Sequence, residues 1–194
     1  MILKYIIFFI CLFIWIFLIQ IFSDLKMLAF RFYTGAIGLF LMAIFFFRRP
    51  LEHITKYSLF TLLTYISKYT HLFTFKNNLI YISNVSGHVL SINVNNQDVG
   101  MITMLVFTSL IVFFPYISLS RRVLYFIFGN IAIMFIDVFR IVLITGLTSV
   151  FGINSYNFDY MILSKIVFFV MIMILYYFAF TKTQIRNQRV GEIL

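Results

Sequence analysis

Two ionisable residues stand inside one of the most apolar stretches of this chain. In "GNIAIMFIDVFRIVLITGL", residues 129–147, Asp137 and Arg140 are three apart, a spacing that puts both on one face of a helix. Charges placed in hydrocarbon cost several kcal/mol each unless they are paired or used. One outcome is a mutually neutralising pair that helps a helix bundle pack. The other is an arginine held by its neighbour so that its N–H donors meet an anionic group or a developing oxyanion. Two further polar features mark the start of apolar runs: Asp98 in "VNNQDVGM", residues 94–101, and Asp159 with Tyr160 in "NFDYMILSKIVFF", residues 157–169. Singly, a carboxylate at a helix N-terminus answers the dipole and a tyrosine at a membrane boundary joins the aromatic belt. Together, Asp98, Asp137, Arg140 and Asp159 or Tyr160 would form one polar cluster on one side of a membrane.

Other chemistries find little material. The single cysteine, Cys11 in "FFICLFIW", has the surroundings of a packing residue and not of a reactive thiolate. His53, His71 and His88 suit interfacial, solvated or capping roles. No His, Cys or carboxylate spacing describes a metal site, no glycine-rich loop would cradle phosphate, and no cofactor is implied. The sequon at Asn84 is too common to carry weight.

The elements that must position these residues are membrane helices. The composition is 63% hydrophobic, 21% aromatic and only 11% charged, so polar surface is too scarce to cover a water-soluble globule of 194 residues. The net charge of +9 is scattered between apolar segments and forms no basic stripe, which argues against a nucleic-acid partner. A span needs about 20 apolar residues at ~1.5 Å of rise each. Segments 2–22, 27–47, 99–119, 123–150 and 161–180 qualify, and 57–75 is weaker because Lys68 and His71 interrupt it. The expected class is therefore all-α: one polytopic membrane domain of about six transmembrane helices. With six spans, Lys4, the "RRP" at 48–50, the "SRR" at 120–122 and the tail "TKTQIRNQR" share a side, which puts both termini in the cytoplasm. The first segment has a basic residue before its apolar run but no small-residue cleavage site, so it is expected to remain as an anchor. The polar interval 76–98 alternates in short runs, which predicts a small extracytoplasmic hairpin or lid between helices 3 and 4.

The order of features resembles the exosortase/archaeosortase family, polytopic membrane cysteine transpeptidases that process proteins with a C-terminal sorting signal outside the cytoplasm. The resemblance runs from Gly87 to the end. "GHVLSINVNNQDVGMITML" is similar to the stretch that carries the family's Cys-Ser-Gly motif, and "SLSRRVLYF" to its basic turn. "GNIAIMFIDVFRIVLITGL" is similar to its Asn-x-x-Arg helix, and "NFDYMILSKIVFF" to its last span. Asp98 stands at the position of the nucleophilic Cys, Val99 at the Ser, and Gly100 matches the Gly. Asp137 stands at the Asn, Arg140 matches the Arg, and Tyr160, or Asp159 in the neighbouring register, stands at the His. Without thiol and base the family's acyl transfer is not available.

The resemblance therefore implies a multi-pass protein of the cytoplasmic (inner) membrane that binds and does not cleave. It would be an accessory subunit in protein sorting or envelope assembly, with its site on the extracytoplasmic face. Its partners would be the bilayer, a substrate or partner transmembrane helix, or other membrane subunits. The alternative is a protease or transpeptidase using Asp98, Arg140 and Asp159 or Tyr160, with two carboxylates sharing a proton. A channel or transporter fits less well, because one polar cluster at one side makes no path across.

Overall fold

In a computed structural model, residues 2–70, 73–76, 79–83, 89–93, 100–151, 162–182 and 184–185 are described. In chain order these residues form α1 (Ile2–Asp24), α2 (Leu28–Thr70), β1 (Thr74–Lys76), β2 (Leu79–Ser83), β3 (Val89–Asn93), α3 (Met101–Phe113), α4 (Leu119–Phe151) and α5 (Ser164–Tyr176). A π-helical turn, Tyr177–Thr181, continues α5. Four of these helices are long and apolar enough to cross a membrane: α1, α2, α4, and α5 with its π turn. The fold is mostly helical, with one small sheet formed by β1 at the end of the expected third span and by β2 and β3 in the polar interval.

Three of the six expected spans differ from that expectation. Segments 27–47 and 57–75 belong to one helix, α2, 43 residues long with Pro50 inside it. A proline removes one i→i−4 hydrogen bond and tends to kink a helix, but it does not reverse the chain. Residues 48–57 supply charges but no glycine or asparagine for a turn. At ~1.5 Å per residue α2 is about 65 Å long, twice a hydrocarbon core of ~30 Å. The segment 99–119 contains only the 13-residue α3, about 20 Å long and short of a full span. Pro115 explains its end, because the residue before a proline is driven out of the helical region.

The chain forms two compact units. The first comprises Met1–Leu51, Met101–Asn130 and Ala179–Leu194, and the second Glu52–Gly100 and Ile131–Phe178.

In the first unit, Lys26 takes a left-handed conformation (φ 54°) that ends α1 and turns the chain back. The antiparallel pair that follows is marked by Phe22 on Phe30, by the Trp15 indole donating to the Thr34 carbonyl at 3.0 Å, and by Phe8 on Phe46. Phe113 meets Gly35 and Trp15, and Phe114 meets Phe32 and Phe180. The turn after α3 is held by Arg122, whose Nη2 donates to the carbonyls of Phe114 (2.8 Å), just past the C-terminus of α3, and Ile117 (3.3 Å), within the turn. Asn130 ties α4 to α3 by donating to Thr108 Oγ1 at 3.1 Å.

These contacts put the Arg121–Arg122 turn beside the start of α2, whereas Arg48 and Arg49 sit at the Phe8–Phe46 end. The two arginine pairs thus lie at opposite ends of this unit, as do the start of α1 and the end of the π turn. A shared side for both arginine pairs would require a reversal within α2, which is one continuous helix.

In the second unit the three strands form an antiparallel sheet in the order β1-β2-β3. Alternation in β2 buries Ile80 and Ile82, whose register partners on β3 are Ile92 and Leu90. These isoleucines join Phe73, Leu59 and Leu63 of α2, and Val138 and Ile141 of α4 in one core. The hydroxyl groups of this half of α2 are satisfied locally. Ser58, Thr61, Thr64 and Thr70 each donate to the carbonyl four residues back, at 2.8–3.0 Å.

Leu63 is fully buried where the sheet, α2 and α4 meet. Leu63→Ala is expected to cost about 2–5 kcal/mol of stability, seen as a lower thermal midpoint by circular dichroism in detergent. Amide exchange at Ile80 and Ile82 should accelerate while the α1 amides keep their rates.

Candidate functional site

The second unit contains the Asp137–Arg140 pair, and α4 presents it for a simple reason. The helical period places Ile133, Asp137, Ile141, Ile144, Thr145 and Thr148 on the side of α4 that faces protein, and all six are buried. Asp137 is 2% exposed, so its carboxylate lies within the unit and does not face lipid.

What it meets is the backbone of Gly100. A methyl group built on Gly100 would collide with the Asp137 carboxylate, falling 2.7 Å from Cγ and 2.8 Å from Oδ1, with Oδ2 closer still. Gly100 is the residue immediately before α3. Glycine is needed here because the volume of its missing side chain is occupied by a carboxylate. The site that the sequence proposes between the Asp98 segment and the Arg140 helix thus has one described contact, made by Gly100 and Asp137.

Arg140 follows three residues later and is half-buried. Its guanidinium carbon lies 5.7 Å from the centroid of the Phe168 ring of α5, a cation–π seat. Phe168 stands one turn after Ser164, which is fully buried at the start of α5, and this spacing turns both toward the same face. Above the pair on α4, Thr145 donates to the Val142 carbonyl at 2.9 Å. The Thr148 hydroxyl, 1% exposed, has no hydrogen-bond partner among the described residues. The result is a buried carboxylate, a guanidinium with an aromatic ring against it, and three buried hydroxyl-bearing residues, Thr145, Thr148 and Ser164, in one unit.

Asp98, Asp159 and Tyr160, with His71, His88 and Asn84, lie outside the described residues. His53 is exposed on α2. Cys11 is exposed on α1 in the first unit, not packed inside the protein as its apolar neighbours suggest. A membrane helix takes its apolar environment from lipid, so an apolar sequence context does not distinguish core from bilayer. Among the described residues no group of three His, Cys, Asp or Glu could hold a metal ion. Sequence reasoning missed Phe168: nothing in "NFDYMILSKIVFF" distinguishes it from Phe169, which is 62% exposed one position on.

The Gly100 contact makes a stability prediction. Gly100→Ala is expected to destabilise by about 1–3 kcal/mol through overpacking, and most of that loss should vanish in the Asp137→Ala background. Thermal unfolding of the four proteins in one detergent measures the coupling, and additive effects would show that the carboxylate is not what excludes the methyl. No family model, curated protein or solved structure matches this chain.

Proposed function

We propose that this chain is an exosortase/archaeosortase-like integral membrane protein that does no cysteine chemistry. It acts as a binding or accessory subunit in protein sorting or envelope assembly, and Arg140 recognises an anionic group of a substrate or partner helix. The observation that carries this is the contact of Gly100 with Asp137 beside Arg140. These are positions of two separate motifs of the resemblance, far apart in sequence, and they belong to one site here.

Two considerations support the binding role over catalysis. The chain's only thiol, Cys11, is on α1 and belongs to the other compact unit. A buried carboxylate lying on backbone suits holding a helix start and orienting its neighbour more than it suits attacking a carbonyl. The proposed side is extracytoplasmic. The Arg121–Arg122 turn is taken as cytoplasmic, because arginines concentrate there, and Arg140 lies about 27 Å further along α4 at ~1.5 Å per residue. The sheet above Val138 and Ile141 then acts as the lid of the site.

Purification of the full chain with its copurifying proteins, followed by incubation with sorting-signal peptides, tests this. The expected result is a stable partner with no peptide turnover, and loss of that partner in Arg140→Ala. Turnover that disappears in Asp98→Ala would overturn the accessory role and establish carboxylate-based cleavage.

A further inference from the structure

A groove opens along the α1–α2 pair, and the chain's one tryptophan, half-buried Trp15, lies in it. Gly38 has no side chain, so the indole rests against its backbone. A methyl group built there would fall 2.9 Å from Trp15 Cε2, with Nε1 and Cδ1 closer still. The ring is held in place by its hydrogen bond to the Thr34 carbonyl. With the indole drawn in between the helices, its neighbours are left standing as walls: Cys11, Ile14 and Leu18 on α1, and Tyr33 and Ile37 on α2, all five exposed. The space they enclose is about 450 Å³, within the range of small-molecule sites.

The groove lies within one leaflet. Arg31 and Arg48 are both exposed on α2, and no charged residue lies between them. They are about 26 Å apart along the helix, close to the ~30 Å of a hydrocarbon core, so they mark its two boundaries. Thr34 and Gly38, which line the groove, are ~5 and ~10 Å along the helix from Arg31. At the Arg31 boundary, Lys26 is exposed in the turn that joins the two helices. The Arg121–Arg122 turn stands at the same end, since Phe32 lies on Phe114 and Arg122 donates to the Phe114 carbonyl. Asp24 is the acidic residue of this end among the described residues, and these cations outnumber it. Tyr33, 61% exposed, sets an amphipathic ring between the groove and the boundary.

We propose that this groove seats an acyl chain of an anionic phospholipid whose headgroup phosphate is bound by Arg31 and Lys26. From the bilayer centre outward the protein offers an apolar groove, then a tyrosine, then two exposed cations, and a phospholipid carries its chain and its charge in that order. The planar guanidinium presents paired donors to phosphate oxygens, and the ammonium adds a second positive charge from the turn. A partner helix would fill the groove and leave the cations unused, whereas inorganic phosphate would take the cations and leave the groove empty. The proposal rests on the membrane-spanning character of α1 and α2 and not on the accessory role.

As the chain's one tryptophan, Trp15 reports on this site directly. The full chain is reconstituted in phosphatidylcholine bilayers that contain a small fraction of lipid brominated in the acyl chain, which quenches tryptophan fluorescence on contact. Brominated phosphatidylglycerol is expected to quench Trp15 more strongly than brominated phosphatidylcholine at the same fraction. Arg31→Gln and Lys26→Gln should each weaken that preference by about fivefold, the scale of one basic side chain at an anionic surface, and Arg49→Gln at the other boundary should not. Cys11→Phe, which fills the groove, should lower quenching by both lipids. Equal quenching by the two lipids, an equal loss in Arg49→Gln, or a preference removed by millimolar inorganic phosphate at constant ionic strength would overturn the proposal. So would a Trp15 that neither lipid quenches, the result expected if a partner helix or a second copy of the chain covers the groove. Peptide turnover or a missing partner protein bears on the accessory role alone and leaves the quenching intact.

Discussion

The space beside Gly100 is the constraint on which the second unit depends. The Asp137 carboxylate fills the volume that any other side chain at residue 100 would need. Once it sits there, several things are determined together: the rotation of α4 about its axis, the approach of the chain just before α3, and the direction in which Arg140 leaves the helix three residues on. A buried carboxylate is costly unless polar groups answer it, so the position tolerates little slack. Glycine makes the approach possible by offering backbone with no side chain between. Phe168 completes the arrangement from α5 by lying against the guanidinium.

Helix length governs the rest. A hydrocarbon core is ~30 Å thick, and α2 and α4, at 43 and 33 residues, exceed what it can accommodate. The excess is used: the second half of α2 and the part of α4 from Val138 onward supply the apolar surfaces on which β1, β2 and β3 are built. A three-stranded sheet of short strands would be marginal alone, and packing on helices gives it a core. Polar groups within the apolar helices follow the same economy. Arg122 closes a turn, Asn130 joins two helices, and the threonines of α2 bond to their own backbone.

How much of this was legible in the sequence depends on the kind of signal. Membrane character, the long apolar helices, the alternation of 76–98 and the prominence of Asp137 and Arg140 were all readable, because each is a property of composition or of local period. The status of Pro50 was not. An arginine pair beside a proline resembles a loop and also resembles a kinked helix, and the choice between them changes which ends of the spans are shared. Pro115 shows the opposite outcome, ending α3 where a longer span was expected. Prolines act through their neighbours' packing, so their effect is decided only after the surrounding helices are placed.

Cys11 and Phe168 mark the limit from two directions. Both are residues in apolar contexts, yet one is exposed on α1 and the other lies against the Arg140 guanidinium. Hydropathy measures the preference of a residue for an apolar environment and is silent on whether lipid or protein provides it. The sequence by itself determined that charges at 137 and 140 would share a helix face within a membrane protein, since that follows from 3.6 residues per turn. Only the tertiary structure decided that the carboxylate belongs to Gly100 and the guanidinium to Phe168, because those contacts join residues distant in sequence and depend on the packing of separate helices.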